Sequence, residues 1–413
     1  MLEADNIHFI GIGGIGMSGL AEILLSRGKR VSGSDLRSNT LTDRLRARGA
    51  VITCGHCPEN ISGDTQLIVR SSCIREDNPE MIEAAGKGIP VVRRGELLGQ
   101  LMNSAEVPVA VTGTHGKTTT SAIIAHVTES AGASPTSVIG GTIDILGSNA
   151  RNGGGSVFVA EVDESDGYFR NISSRIAVIT NVEREHMENY GSMDNLLAAY
   201  SEFIDRICPE GVLIYNGEDP VLEHLSRGAR VKTLSFGMDP DGRYDISCRL
   251  RTCARSIEME VYEGLSREGV LKSPLIGRHN AMNILAAFAA CSRAGFSFKD
   301  IVDGVSSFKG AGRRFEKIGA ARGVEVIEDY AHHPTELSAV IKAAREYSGG
   351  RVLSVFQPHR YSRTRDLAEL FVECFNGTDV LILTDVYSAH EDRAEGAGIK
   401  DIYSRIDRSR FEH

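Results

Sequence analysis

The residues best suited to chemistry lie in VAVTGTHGKTTT, positions 109–120. A run of buried-strand type leads to Gly113, Gly116 and Lys117, and Thr118, Thr119 and Thr120 open a helix-like stretch. In that order backbone N–H groups can cradle phosphate oxygens, the lysine can neutralise the outer phosphates, and a threonine hydroxyl can hold Mg2+. Val111 stands where the longer GxxxxGK[ST] pattern has its first glycine, so this loop is of the shorter GxxGK[ST] kind. A GKT triplet also arises by accident, but its place between a strand and a helix favours a nucleoside triphosphate site. His115 can be a phosphate contact or an ordinary loop residue, and the loop reading is preferred.

Acids follow at strand ends, where a parallel sheet binds its ligands. AEVDESDGYF carries Glu161, Asp163, Glu164 and Asp166; one or more can reach Mg2+ or a nucleophile, and a solvated acidic loop is the competing reading. NVEREHMENYG carries Asn181, Glu183, Glu185 and His186, where a histidine beside acids can ligate a metal or orient a carboxylate, although alone it reads as a satisfied polar loop. In GRHNAMNILAAFAA, His279, Asn280 and Asn283 enter an apolar helix; Asn280 suits a cap, and Asn283, one turn on, suits a base edge or phosphate. Arg313 and Arg314 fall at a junction where a guanidinium can close over a phosphate, or serve as a basic linker. EDYAHHPTE and QPHRYSRT bring Asp329, His332 and His333, then His359, Arg360 and Arg363, to two further strand ends, a set suited to carboxylate or phosphate recognition.

A second cradle is written near the start. Gly11-Ile-Gly13-Gly-Ile-Gly16 follows a strand and opens a helix, so the backbone can approach a phosphate at a helix N-terminus. Asp35 ends the next strand, where its carboxylate can accept bonds from a ribose or base. NAD, FAD and UDP-sugars all satisfy this geometry; a turn needed only for packing is the plainer alternative.

These sites require α/β architecture. IHFIG, LIVRSS, PVAVTG, VFVAEVD and IAVITN alternate with helix-like stretches, which predicts parallel sheets with crossover helices. Three blocks separate: 1–105, 106–312 and 313–413, the second containing a stretch around 242–263 that reads as an antiparallel hairpin. The third has 101 residues and three clear strands, VEVIEDY, RVLSVFQ and DVLILTD. With 413 residues, 41% hydrophobic and 24% charged, each block can bury a core. The net charge of −9 disfavours bulk attraction to nucleic acid or an anionic membrane, and the apolar runs stop short of a membrane span. A cytoplasmic protein, monomer or homodimer, is expected. Eight scattered cysteines, including Cys54 and Cys57 at CxxC spacing, have no second pair to complete a zinc site, so reduced thiols are expected.

Taken in order, HFIGIGGIGMSGLAE with VSGSD, TGTHGKTTT, EVDESDGYF, NVEREHM, GRHNAMN, RRFE, DYAHHPTE and HRYSRT resemble the successive signatures of the Mur ligase family across nearly the whole chain. The resemblance implies a Rossmann-like N-terminal domain, a central P-loop ATPase-type α/β domain and a Rossmann-like C-terminal domain, the last partial because about five or six strands are expected there. It also implies a reaction: ATP phosphorylates the lactyl carboxylate of UDP-N-acetylmuramate, and the amine of L-alanine attacks the acyl phosphate, with ATP and Mg2+ required and no nucleic acid or membrane partner. Carried over by residue, the UDP-sugar falls to Gly11, Gly13, Gly14, Ile15, Gly16, Asp35 and Ser71. ATP falls to Gly113, Thr114, His115, Gly116, Lys117, Thr118, Thr119, His279, Asn283 and Arg314, and metal to Thr118, Glu161 and His186. Lys117, Glu161, His186 and Arg314 are then the catalytic set, while His332, His333, His359, Arg360 and Arg363 line the amino-acid and muramoyl side.

Two residues depart from the family pattern: Glu185 stands where aspartate is usual before the histidine, and Arg70 in LIVRSSC replaces an apolar residue. The short third block predicts a sheet lacking final strands, with an unpaired edge. A nicotinamide-dependent oxidoreductase would use the first cradle but leave the second without a role. A catalytically inert UDP-sugar or ATP binder would use both.

Overall fold

A computed structural model describes all residues except 1–2, 166, 390, 392–397, 408–410 and 412–413. Asp166, one of the four acids above, therefore lies outside the described residues. The first block folds around a five-stranded parallel sheet in the spatial order Val51–Cys54, Arg30–Asp35, Asn6–Ile10, Leu67–Arg70, Val91–Arg93. The chain order reverses at Asn6–Ile10, so the ligand position of doubly wound sheets falls at its carboxyl end, beside Gly11 and Ser71. Asn6–Ile10 is buried on both faces, as a central parallel strand must be.

The second block is built on a ten-stranded sheet. Its parallel centre runs Lys232–Gly237, Ile207–Asn216, Ser174–Ile179, Val107–Thr112, Val157–Glu161, Thr136–Ile143. Val107–Thr112 sits near the middle, its VPVAVT sequence almost wholly buried. Ile246–Thr252, Ile257–Glu263 and Ser266–Ser273 extend one side as an antiparallel meander, in agreement with the hairpin expected over 242–263. Apolar packing does not stop at residue 105: one core cluster joins Phe9, Leu20 and Leu97 to Ala110, Phe158 and Phe169. The seam is polar at its rim, where buried Glu22 pairs with Arg44 at 3.0 Å and accepts from Ser148 Oγ at 2.8 Å.

The third block differs from its sequence reading. VEVIEDY contributes Val324–Glu328, but this strand pairs antiparallel with Glu316–Ala321 as a separate hairpin, because RRFEKIGAA lies one tight turn away. The remaining two predicted strands, Leu353–Phe356 and Val380–Leu383, pair in parallel with each other. Among the described residues this two-stranded sheet leaves Leu353 and Val355 58% and 70% exposed. Its opposite side is covered, since Phe356 packs with Leu337, Ile341, Phe371 and Phe375.

Candidate active site

The loop Gly113–Lys117 is clamped by its neighbours. Gly113 has φ +127° and Gly116 +80°, a backbone region that favours glycine, and a Cβ on Gly116 would lie 2.4 Å from Asn283 Oδ1. The neighbouring strand end holds the loop: Asn181 accepts from His115 N at 2.8 Å and returns a bond to His115 O at 3.0 Å, while Glu183 N donates to Thr114 Oγ1 at 2.8 Å. Helix Lys117–Ser130 starts at Gly116 with no side-chain cap, leaving its first N–H groups for an anion. Lys117 Nζ folds back on the Gly113 and Thr114 carbonyls at 2.6 and 3.1 Å and reaches Glu164 at 2.9 Å. Burial alone would lower the Lys117 pKa, but Glu164, with Asp163 and Glu161, outweighs it and holds the ammonium charged.

The acidic donors gather differently from the expected set. Asp163, Glu164 and His186 have ligand atoms within 4.8 Å of one another. Buried Glu164 Oε2 meets Lys117 Nζ at 2.9 Å, and His186 Nδ1 is buried without a hydrogen-bond partner. His186 holds a left-handed backbone, φ +58°, that places its ring beside Glu164 at 3.7 Å. Burial raises the Glu164 pKa; on Asp163 burial is outweighed by Arg94, Lys117 and His186, so that carboxylate stays ionised. This oxygen-rich group fits a hard divalent cation. Glu161 is not part of it. That carboxylate accepts from Gly140 N at 2.8 Å, and a Cβ on Gly140 would lie 2.3 Å from it. The family resemblance assigns Glu161 to the metal; here its carboxylate is engaged by the Gly140 backbone.

The remaining residues expected at the nucleotide converge on the same loop. Asn283 accepts from Thr120 Oγ1 at 3.4 Å and donates to Asn280 at 3.2 Å. Gly277, not Asn280, occupies the cap of helix Arg278–Arg293; Asn280 donates to Ile276 O at 2.8 Å instead. His279 is held neutral, its pKa pushed down to about 4 by burial and by Arg314. Arg314 faces Glu336 at 3.9 Å, and Glu336 in turn meets His115 at 3.2 Å. His115 is thus an interdomain contact rather than a plain loop residue. Its pKa rises to about 9, because burial is outweighed by Glu183 and Glu336. Glu336 was missed, although Pro-Thr-Glu after His333 is a helix-start signature: helix Pro334–Ser348 has a capping box between His333 and Glu336.

The third block closes this face. Arg363 donates to Glu185 Oε1 from Nε and Nη2 at 3.0 and 2.8 Å, and Arg360 meets Glu188 at 2.7 Å. Glu185 therefore gains a specific partner with its longer arm. The His332 and His359 rings lie 5.6 Å apart, tilted by 42°, and burial lowers both pKa values to about 4.

The first cradle is pre-shaped too. Asp35 Oδ2 accepts from Gly13 N at 2.9 Å, Asn39 donates to Gly13 O at 3.1 Å, and a Cβ on Gly11 would lie 3.1 Å from Ser71 Cβ. Helix Ile15–Ser26 begins at Gly14 without a side-chain cap. Arg94 packs on Gly16, where a Cβ would be 3.0 Å from its Cδ, and donates to Asp163 at 3.3 Å. One side chain thereby spans from the first cradle to the acidic group beside Lys117. Arg70 pairs with Glu76 at 2.7 Å at a cavity of about 440 Å3 that Arg93, Glu96 and Tyr168 also line.

Comparison with known proteins decides the family. The Mur ligase family catalytic domain matches residues 6–106, the Mur ligase middle domain 111–291, and the Mur ligase glutamate ligase domain 313–412. The chain belongs to the Mur ligase family. This Mur ligase is 43% identical over 409 residues to UDP-N-acetylmuramate--L-alanine ligase of Pelotomaculum thermopropionicum, covering 99% of the chain and 88% of the relative. It is 43% identical over 394 residues to the enzyme of that name from Syntrophus aciditrophicus, covering 95% and 82%. The crystal structure of UDP-N-acetylmuramate-alanine ligase from Thermotoga maritima superposes with a TM-score of 0.81 at 31% identity, covering 92% of this Mur ligase and 85% of that chain. Among the described residues no helix is long and apolar enough to cross a membrane.

Proposed function

We propose that this Mur ligase joins L-alanine to the lactyl carboxylate of UDP-N-acetylmuramate at the expense of ATP, a step of peptidoglycan precursor synthesis in the cytoplasm. The carrying observation is Arg94, which touches Gly16 in one cradle and Asp163 beside the other, so both anions open on one cleft. A carboxylate is a poor electrophile until one of its oxygens becomes a phosphate leaving group, and an enzyme that effects this by positioning needs both cradles on the same cleft. The carboxylate oxygen attacks the terminal phosphorus of ATP; the amine nitrogen then attacks the carbonyl carbon and phosphate leaves.

In this reading Gly13, Asp35 and Ser71 seat the uridylyl diphosphate, and the Gly113–Lys117 loop seats the triphosphate. Lys117, charged within its acidic surround, moves from Glu164 to the outer phosphates. Asp163, Glu164 and His186 would hold Mg2+, which would supply charge neutralisation at the transferring group. Arg314, from the third block, faces the phosphates, and His332, His359 and Arg363 stand on the amino-acid side. A nicotinamide oxidoreductase leaves the Lys117 loop without a role. The reading is tested by phosphate release from ATP with UDP-N-acetylmuramate and L-alanine, glycine or L-serine, with mass analysis of the product. Release with an alanyl product is expected; tight binding of both nucleotides without release under any amino acid would point instead to an inert binder.

A further inference from the structure

The seam between the Gly113–Lys117 loop and the third block holds a second donor cluster, His115, Glu183 and His333, to whose side chains the steps above give no metal-binding role. His115 Nε2 lies 3.5 Å and His333 Nδ1 3.6 Å from the same atom, Glu183 Oε2. Donors bound tetrahedrally at about 2.0–2.1 Å are themselves roughly 3.4 Å apart, so both imidazole nitrogens stand near ligating separation from the carboxylate oxygen, and the ligand atoms of the three residues lie within 4.8 Å of one another. The outer nitrogens are matched as well. His115 Nδ1 meets Glu336 at 3.2 Å, and the Glu185 carboxylate lies 3.6 Å from His333 Nε2, which has no hydrogen-bond partner, so the outer nitrogen of each ring faces a carboxylate and that of His115 is in close contact with it. That pairing orients metal-binding histidines and raises their basicity. Glu183 is oriented by Thr335 Oγ1 at 2.7 Å. Side-chain exposure is 13% for His115 and 3% for His333, and His115 Nε2 is buried without a hydrogen-bond partner.

We propose that His115, Glu183 and His333 form a site for a borderline transition metal of the Zn2+, Co2+ or Ni2+ class, with a fourth position open. Two imidazoles and one carboxylate suit such ions, whereas Mg2+ and Ca2+ prefer oxygen. Ligation releases the proton of the charged His115 ring to solvent, and takes the Nδ1 lone pair that His333 offers to Thr335 N at 3.3 Å. Two ligands come from the central block and one from the third, so the site exists only when the third block is docked. Bound metal therefore pins the lobe closed. This consequence for turnover rests on the ligase reading, whereas the site itself does not.

The test titrates the full chain, without nucleotide, with chelator-buffered Co2+ and Zn2+, following calorimetry and the visible absorption of Co2+. One tetrahedral-type site is expected in the parent. Its affinity should fall at least tenfold in His333→Ala and in Glu183→Gln, and about 10- to 100-fold in Glu336→Gln, which keeps the helix cap and removes one supporting charge. His186→Ala should leave it unchanged. Thermal melts establish that each variant is folded, and Glu183→Gln and Glu336→Gln carry the test if His333→Ala is not. Absence of stoichiometric binding, or affinity equal to the parent's in the folded variants, overturns the proposal: the cluster is then an ion-paired contact only, or cysteines hold the metal. Neither result decides the ligase reading, which phosphate release from the parent protein free of transition metal tests separately.

Discussion

Arg363→Ala tests how the third block is held. Arg363 and Glu185 have side-chain exposures of 6% and 12%, and two guanidinium nitrogens reach one carboxylate oxygen at 3.0 and 2.8 Å while the third donates to His359 O at 3.0 Å. Removing one partner of a buried ion pair leaves the other charge desolvated and alone, at a cost of about 3–5 kcal/mol. Opening the seam returns water to Glu185, so the molecule escapes the penalty by undocking. The closed-to-open ratio should then fall by about two to nearly four powers of ten, and kcat with it, because the residues over the phosphates come from the departing block. Small-angle scattering with both nucleotides present reads the opening, and steady-state kinetics reads the rate. A double variant, Arg363→Ala with Glu185→Gln, should recover much of the docking because no charge is left buried. If Arg363→Ala remains as compact as the parent and turns over within a factor of two or so of it, the reasoning is wrong.

Three further outcomes follow from the same geometry. Lys117→Ala should abolish turnover and leave UDP-N-acetylmuramate affinity within about threefold of the parent, read by calorimetry, because the two cradles lie on different blocks; equal loss of both would contradict that division. Gly116→Ala should cost about 1–2 kcal/mol from its left-handed backbone, more from the 2.4 Å approach to Asn283, and should appear as a lower Tm and a raised KM for ATP; a silent variant would mean the loop is not held as described. His332 and His359 are neutral when folded, with pKa about 4, against about 6.5 unfolded. Their depressed values give stability that is present above about pH 6.5 and lost as pH falls toward 4, each at up to about 1.4 kcal/mol per unit. Melting of the third block should therefore steepen below pH 6.5, and His359→Gln should flatten it; an unchanged acid slope would contradict the burial argument.

Much of the site was legible because its chemistry is local. The strand Val107–Thr112, the Gly113–Gly116 turn and the helix from Lys117 follow one another in sequence, and so do the Gly11–Gly16 turn and its helix. What escaped depends on pairs far apart in the chain. His115 reads as a loop residue until Glu336, 221 positions away, comes beside it. Arg94 looks like the start of an ordinary helix until Gly16 and Asp163 are on either side. VEVIEDY has strand composition wherever it pairs, so composition alone cannot assign it to the hairpin with Glu316–Ala321 instead of the parallel sheet.

The central claim is that a substrate carboxylate oxygen meets the terminal phosphorus of ATP across the two cradles. It is tested most directly by placing a heavy-oxygen label in the lactyl carboxylate of UDP-N-acetylmuramate and analysing the phosphate released with L-alanine. One labelled oxygen per phosphate is predicted, carried over when the acyl phosphate is cleaved. Amide product accompanied by unlabelled phosphate would contradict the account.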